Sequence, residues 1–183
     1  MLRRRLVTVP AVLIALAVVT GALPALVVVA LLVDLLRPAA RGTFVTLRLV
    51  LFLEAFLVTE VLGLVLLAGV GLVSLGSRSR REALTWPLQR WYTGTLMAAV
   101  KALFAVRLEI DGAELATPAG PVLIMIRHAS VVDVLLPAIL LANPLRLRLR
   151  YVLKRELLFD PCMDMPLDPE EVWRVVADSS RMN

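Results

Sequence analysis

Residues 6–33, LVTVPAVLIALAVVTGALPALVVVALLV, form a run of 28 positions without one charged side chain. The run follows Arg3, Arg4 and Arg5. At about 1.5 Å per helical residue it is longer than a bilayer core of about 30 Å requires. A signal peptide shares the basic start, but its apolar region is only about 7–15 residues long. The run therefore predicts a membrane-spanning or deeply buried helix.

A second apolar stretch follows a polar link and covers about residues 49–75, before Ser77-Arg-Ser-Arg-Arg81 closes it. Together with residues 6–33 it predicts a hairpin of two membrane helices, which forms a first domain over residues 1–81. Arginines flank both helices, and their arrangement favours both outer ends of the hairpin on the cytoplasmic side.

Glu60 stands near the middle of the second apolar stretch, where a charged side chain is costly. Three interpretations stay open: a polar site or proton path, a neutral hydrogen-bonded carboxyl group, or a hairpin that enters only one leaflet. A small channel or transporter subunit built on Glu54 and Glu60 is one hypothesis for the function of the chain.

Charge is distributed unevenly along the chain. Residues 1–81 hold nine arginines against three acidic side chains, a balance of +6, whereas residues 82–183 have a balance of −1. The basic residues thus flank the apolar stretches, as in segments held against anionic headgroups. A nucleic-acid-binding domain would carry a basic patch on its folded part, so no nucleic-acid partner is expected. Cys162, the single cysteine, can form no internal disulfide.

Residues 82–106 are rich in aromatic and aliphatic side chains and predict a helix, either at the membrane interface or in a protein core. The following residues have the strand–helix–strand order of a βαβ unit and predict an α/β domain. The predicted strands are Arg107–Asp111, Val122–Ile126 and Leu145–Lys154, and the predicted helix is Ser130–Ala142, ended by Asn143-Pro144.

His128 is the only histidine, and it falls between the apolar run 122–126 and the predicted helix, where ligands of open α/β sheets usually bind. Asp133 follows five residues later, close enough for its carboxylate to reach the imidazole. Imidazole titrates near pH 7 and can deprotonate an alcohol, while a carboxylate fixes its tautomer and stabilises the imidazolium. If the alcohol belongs to a substrate, the pair predicts direct acyl transfer to it.

The same residues also fit a purely structural interpretation. Ser130 and Asp133 have the spacing of a capping box, in which two side chains satisfy free amide groups at the start of a helix. Asp133 would then have no catalytic role, and spacing alone leaves this choice open.

Residues 127–137, Arg-His-Ala-Ser-Val-Val-Asp-Val-Leu-Leu-Pro, resemble the His-x4-Asp block of the glycerolipid acyltransferases, which include the 1-acylglycerol-3-phosphate acyltransferases. Residues 151–158, Tyr-Val-Leu-Lys-Arg-Glu-Leu-Leu, resemble the strand and Lys-x-Glu-Leu segment that follows in this family. The resemblance covers about residues 82–162, which would be the first part of an acyltransferase α/β domain with an interfacial helix at its start.

The resemblance implies that His128 deprotonates the free hydroxyl of a lysophospholipid and that Asp133 orients the imidazole. Arg127, Ser130 and Lys154 would lie at the substrate site. The acyl donor would be acyl-CoA or acyl carrier protein, with no metal and no tightly bound cofactor. The protein would be an integral membrane enzyme of phospholipid biosynthesis, with membrane lipid as partner and its catalytic part in the cytoplasm.

Residues 163–183 depart from the family pattern and are interpreted as a divergent tail. The family has a phosphate-binding arginine block and a Glu-Gly-Thr-Arg-like block after the Lys-x-Glu-Leu segment, and neither occurs after Pro161. We therefore expect a chain truncated at its C-terminus that is weakly active or inactive. The alternative is a non-enzymatic, membrane-anchored remnant or interaction module.

Overall fold

The computed structural model describes residues 2–37, 43–111 and 135–145. Three long helices make up most of these ranges: α1 at Leu2–Leu36, α2 at Val45–Ser74 and α3 at Arg78–Phe104. A π-helix at Ala138–Ala142 continues into a single helical turn, α4, at Asn143–Leu145. We refer to residues 135–145 as the docked segment, because they pack on α3.

The predicted α/β class is wrong for the described part of the chain. About 87% of that part is helical, and it contains no strand. Residues Arg107–Asp111 alternate like a strand, yet they follow α3 as irregular backbone, and no strand within the described ranges pairs with them. The alternating pattern marks a strand only where a neighbouring strand completes its hydrogen bonds. The strand predicted at Val122–Ile126 lies outside the described residues, as does that at Leu145–Lys154 apart from Leu145.

The predicted end of the helix at Asn143-Pro144 is wrong. The helical segment continues past Ala142 through α4 at Asn143–Leu145. The backbone N–H of Asn143 donates to the carbonyl of Ala138, which closes the wider turn of a π-helix. Pro144 thus lies within a continuous helical segment that begins before the π-helix.

Helices α1 and α2 coincide with the two apolar stretches of the sequence. Leu6–Leu36 and Val45–Ser74 are long and apolar enough to cross a membrane, with mean hydropathies of 2.7 and 2.4. The core helix of a soluble protein and a signal sequence can have the same length and composition. None of the most apolar part of α1 is buried, which argues against the first of these alternatives. Exposure of that kind is typical of a helix that faces lipid rather than a protein core.

Helix α2 lies between the other two long helices and packs against both of them. It ends in a tight turn at Leu75 and Gly76, which have positive φ angles of 44° and 79°. The backbone N–H of Ser77 donates to the carbonyl of Ser74 over 2.8 Å. The side-chain hydroxyl of Ser77 accepts from the backbone N–H of Arg80 and so caps the start of α3. Helix α3 therefore runs back along α2.

The contact between α2 and α3 forms the main apolar core of the described residues. Its members are 2–7% exposed: Leu57 and Leu64 on α2, and Leu96, Met97 and Val100 on α3. The second half of α3 thus buries one face against α2, and a position at the membrane interface stays a prediction. The first turns of α3, residues 78–84, are exposed.

Candidate functional site

The predicted site residues lie outside the described residues, so their geometry stays a prediction. These residues are His128 and Asp133 as the catalytic pair, and Arg127, Ser130 and Lys154 at the substrate site. The described polar groups that could carry chemistry lie instead at the contacts between helices.

Glu60 is the most deeply buried acidic residue of α2, with 1% of its surface exposed. It lies on the same face of the helix as Leu57 and Leu64, at the spacing that brings side chains to one side. The hydroxyl group of Tyr92 on α3 donates a hydrogen bond of 2.6 Å to Glu60 Oε2. Burial of a polar group is tolerated when it is hydrogen-bonded, so this contact agrees with the hydrogen-bonded interpretation of Glu60.

Asp34 joins α1 to the start of α2 by capping that helix. Its carboxylate accepts hydrogen bonds of 3.0 Å from the backbone N–H groups of both Thr46 and Leu47, and the side chain is buried. These amides belong to the first turn of α2, where no backbone carbonyl is available to them. Phe44 occupies the usual capping position but provides no side-chain hydrogen bond. The sequence predicts only a link here, because a local capping pattern is missing.

Glu54 faces α1, whereas Glu60 faces α3. The hydroxyl group of Thr20 donates a hydrogen bond of 2.6 Å to Glu54 Oε1, while Glu54 Oε2 is buried and has no partner among the described residues. Six residues on an α-helix correspond to roughly 120° between the two side chains. The two carboxyl groups therefore lie in different helix contacts, one with α1 and one with α3.

Two hydrogen bonds hold the docked segment on α3. Arg90 Nη2 donates to the backbone carbonyl of Asn143 over 2.9 Å, and Asn143 Nδ2 donates to Thr93 Oγ1 over 3.5 Å. Ala138 of this segment is 6% exposed. Asn143, which makes both contacts, lies ten residues after Asp133 in the sequence.

Within the described ranges, no group of three His, Cys, Asp or Glu side chains could hold a metal ion. Comparison with known proteins gives no match: no family model, no curated protein and no solved structure is similar to this chain. The likeness to glycerolipid acyltransferases therefore depends on the motif residues alone and stays a prediction.

Sequence reasoning missed the partners of the buried acidic groups, which are Thr20, Tyr92 and the two amides capped by Asp34. One signal could have found Tyr92. Glu60 and Tyr92 each lie sixteen residues from Gly76, and two antiparallel helices that meet at a tight turn place such residues side by side. The contact between Arg90 and Asn143 has no comparable signal.

Proposed function

We propose that the chain transfers an acyl group from acyl-CoA or acyl carrier protein to the free hydroxyl of a lysophospholipid such as 1-acylglycerol-3-phosphate. The observation that carries the proposal is the pair of sequence blocks, His128-x4-Asp133 followed about twenty residues later by Lys154-x-Glu-Leu. Two long apolar helices support the proposal, since they would hold the chain at the membrane that contains a lipid acceptor.

In the proposed reaction, His128 takes the proton of the acceptor hydroxyl while its oxygen attacks the thioester carbonyl. The carbon–sulfur bond then breaks, and the imidazolium returns the proton to the leaving thiolate. Asp133 keeps the imidazole in the required tautomer and stabilises its charged form. The products are an ester and a free thiol. Arg127, Ser130 and Lys154 bind the substrate, and no metal takes part.

The acyl-transfer assay uses the full chain in bilayer nanodiscs, with oleoyl-CoA as donor and oleoyl lysophosphatidic acid as acceptor. It measures the release of free thiol and the formation of phosphatidic acid. We expect both products to form with the wild type, and a loss of about 100-fold or more in His128→Ala, because general-base catalysis contributes about 10²–10⁴.

Asp133→Asn separates catalysis from helix capping. Asparagine keeps an oxygen that can accept from helix amides, but its neutral amide cannot stabilise the imidazolium. We expect this variant to fold like the wild type and to lose most of its activity. Equal transfer by the wild type and His128→Ala would contradict the proposal, and no transfer by either would favour the non-enzymatic membrane-anchored alternative.

We also propose that α1 and α2 each cross the bilayer once. Both outer ends of the hairpin and the catalytic residues would then lie on the cytoplasmic side. The arginines that flank the two helices support this orientation. In a Cys162→Ser background, a membrane-impermeant maleimide added to intact cells should label Thr43→Cys and leave Ser77→Cys unlabelled. Protection of both positions would contradict a double crossing and would favour a hairpin within one leaflet.

A further inference from the structure

We propose that arginines gathered at one end of the three long helices form a surface that binds the anionic headgroups of membrane phospholipids. The residues of this arginine surface are Arg3, Arg4 and Arg5 at the start of α1 and Arg78, Arg80 and Arg81 at the start of α3. Binding of this kind requires that α1 and α2 cross the membrane as proposed above, but it does not require acyl transfer.

Two distant stretches of sequence meet at this end of the structure. Helices α1 and α2 are antiparallel, because Asp34 near the end of α1 accepts hydrogen bonds from the start of α2, while Thr20 contacts Glu54 further along. Arg4 lies sixteen residues before Thr20, and Ser74 lies twenty residues after Glu54. These separations correspond to about 24 and 30 Å in the same direction. The first turn of α1 therefore lies at the end of α2, where α3 begins.

The arginines of α3 belong to an ordered helix start and are open to the surroundings. This helix start is capped, and its residues 78–84 are exposed. Arg78 forms an ion pair with Glu82, whereas the side chains of Arg80 and Arg81 form no hydrogen bond or ion pair within the described ranges. Glu82 is the one acidic side chain in the two helix starts, so positive charge remains in excess at this end.

Exposed apolar side chains beside these arginines indicate a lipid surface as the partner. Leu72 and Leu75, at the end of α2, are 76% and 86% exposed. Leu84 is exposed as well and lies about one turn after Arg80 and Arg81 on α3. At a membrane surface the leucines can reach acyl chains while the guanidinium groups reach phosphates. A soluble phosphate or a nucleic acid would pair with the arginines and leave the leucines in water.

The expected strength of this binding follows from the charges. Arginine binds phosphate oxygens through two parallel N–H groups. Each basic side chain near an anionic membrane surface strengthens binding by up to about fivefold, and salt screens this attraction. We therefore expect Arg80 and Arg81 together to contribute about fivefold to tenfold to the preference for an anionic headgroup.

The test places a fluorophore within the arginine surface. Ser79→Cys, at an exposed position between Arg78 and Arg80, is labelled in a Cys162→Ser background of the full chain. The protein is placed in nanodiscs of phosphatidylcholine that contain a minor fraction of quenching lipid. This lipid carries a nitroxide near the top of an acyl chain and is either phosphatidylglycerol or phosphatidylcholine. The ratio of the two quenching efficiencies measures the headgroup preference, and quenching by phosphatidylcholine checks separately that the label lies at the bilayer.

We expect the wild-type surface to prefer phosphatidylglycerol about tenfold or more near 0.05 M salt and to lose most of this preference near 1 M. Arg80→Gln/Arg81→Gln should lower the preference about fivefold to tenfold, while Arg80→Lys/Arg81→Lys should keep most of it because the charges remain. The matched control is Lys101→Gln/Arg107→Gln, which removes two exposed cations near the far end of α3 and should match the wild type.

Equal quenching by the two lipids in the wild type would overturn the proposal, and so would a preference that salt does not weaken. Neither result needs a variant, so both decide even if the glutamine variant does not fold. Equal losses in the two glutamine variants would also overturn it, since any cation would then have the same effect. Loss of the preference in millimolar inorganic phosphate, or with a short oligonucleotide, at matched ionic strength would identify a soluble anion as the partner instead of lipid. An absence of His128-dependent transfer would leave all these outcomes unchanged.

Discussion

The two faces of α2 differ in how they are covered. On one face, α1 makes hydrogen bonds to α2 through Asp34 and through Thr20, which donates to Glu54. Ala30 is the one buried apolar side chain among those described on α1, and most of its other large apolar side chains are well exposed. On the other face, α3 buries Leu96, Met97 and Val100, and its Tyr92 donates a hydrogen bond to Glu60. The first contact is typical of helices in lipid, and the second is typical of a protein interior.

The two faces of α2 therefore differ in the interactions that stabilise them. Lipid tails solvate apolar side chains as well as another helix does, so α1 and α2 gain little from apolar contact in a bilayer and depend on packing and polar links. The α2–α3 contact instead combines close packing with a hydrogen bond between buried groups. Stability should therefore depend more on the α3 face of α2 than on the α1 face.

The largest expected effect is on the α3 face. Glu60→Ala removes the acceptor of the Tyr92 hydroxyl group and leaves a cavity, so we expect a loss of about 2–4 kcal/mol in the free energy of unfolding. Glu60→Gln keeps an acceptor and should lose less than half of that. Equilibrium unfolding in detergent micelles measures both values.

Glu82→Ala is the matched control for this pair of variants. Glu82 forms an exposed ion pair of 3.2 Å with Arg78 on α3, and such pairs contribute about 0.5 kcal/mol or less. Glu60→Ala and Glu82→Ala with equal stabilities would contradict the view that the α3 face is a protein-like core.

An intermediate effect is expected where α1 caps α2. Asp34→Ala leaves the N–H groups of Thr46 and Leu47 without their acceptors, so hydrogen exchange at these two amides should accelerate about tenfold. Asp34→Asn keeps one acceptor oxygen and should protect one of the two amides. Exchange at the amide of Leu64, in the middle of α2, serves as the internal reference. Unchanged exchange in Asp34→Ala would show that the cap is not formed.

Much of the helical architecture could be predicted from sequence, for physical reasons that apply locally. A long uncharged run such as residues 6–33 can satisfy its backbone in a membrane only by forming a helix. The glycine at position 76 marks the turn between α2 and α3, because it adopts a positive φ angle without strain. From that turn, the pairing of Glu60 with Tyr92 follows by equal separation along two antiparallel helices.

Other features depend on how distant parts of the chain meet. Asp34 caps a helix that begins eleven residues later, so no local pattern indicates it. The alternation at Arg107–Asp111 predicts a strand, but a strand needs a partner, and the described part of the chain contains no other strand beside these residues. The geometry of His128 and Asp133 lies outside the described residues and cannot be compared with its prediction.

The smallest effect is expected on the α1 face. Thr20→Val keeps the shape of the side chain and removes the hydrogen bond to Glu54, and interhelical hydrogen bonds in membranes contribute about 0.6 kcal/mol on average. We expect a loss of that size in unfolding measured as for Glu60→Ala, and no change in Thr8→Val, a control on the same helix. Because Glu54 Oε2 already lacks a partner among the described residues, the second oxygen cannot compensate through an existing contact. A loss in Thr20→Val as large as that in Glu60→Ala would mean that both faces of α2 are equally dependent on buried polar contacts, and the distinction between a lipid-facing and a protein-facing side would be wrong.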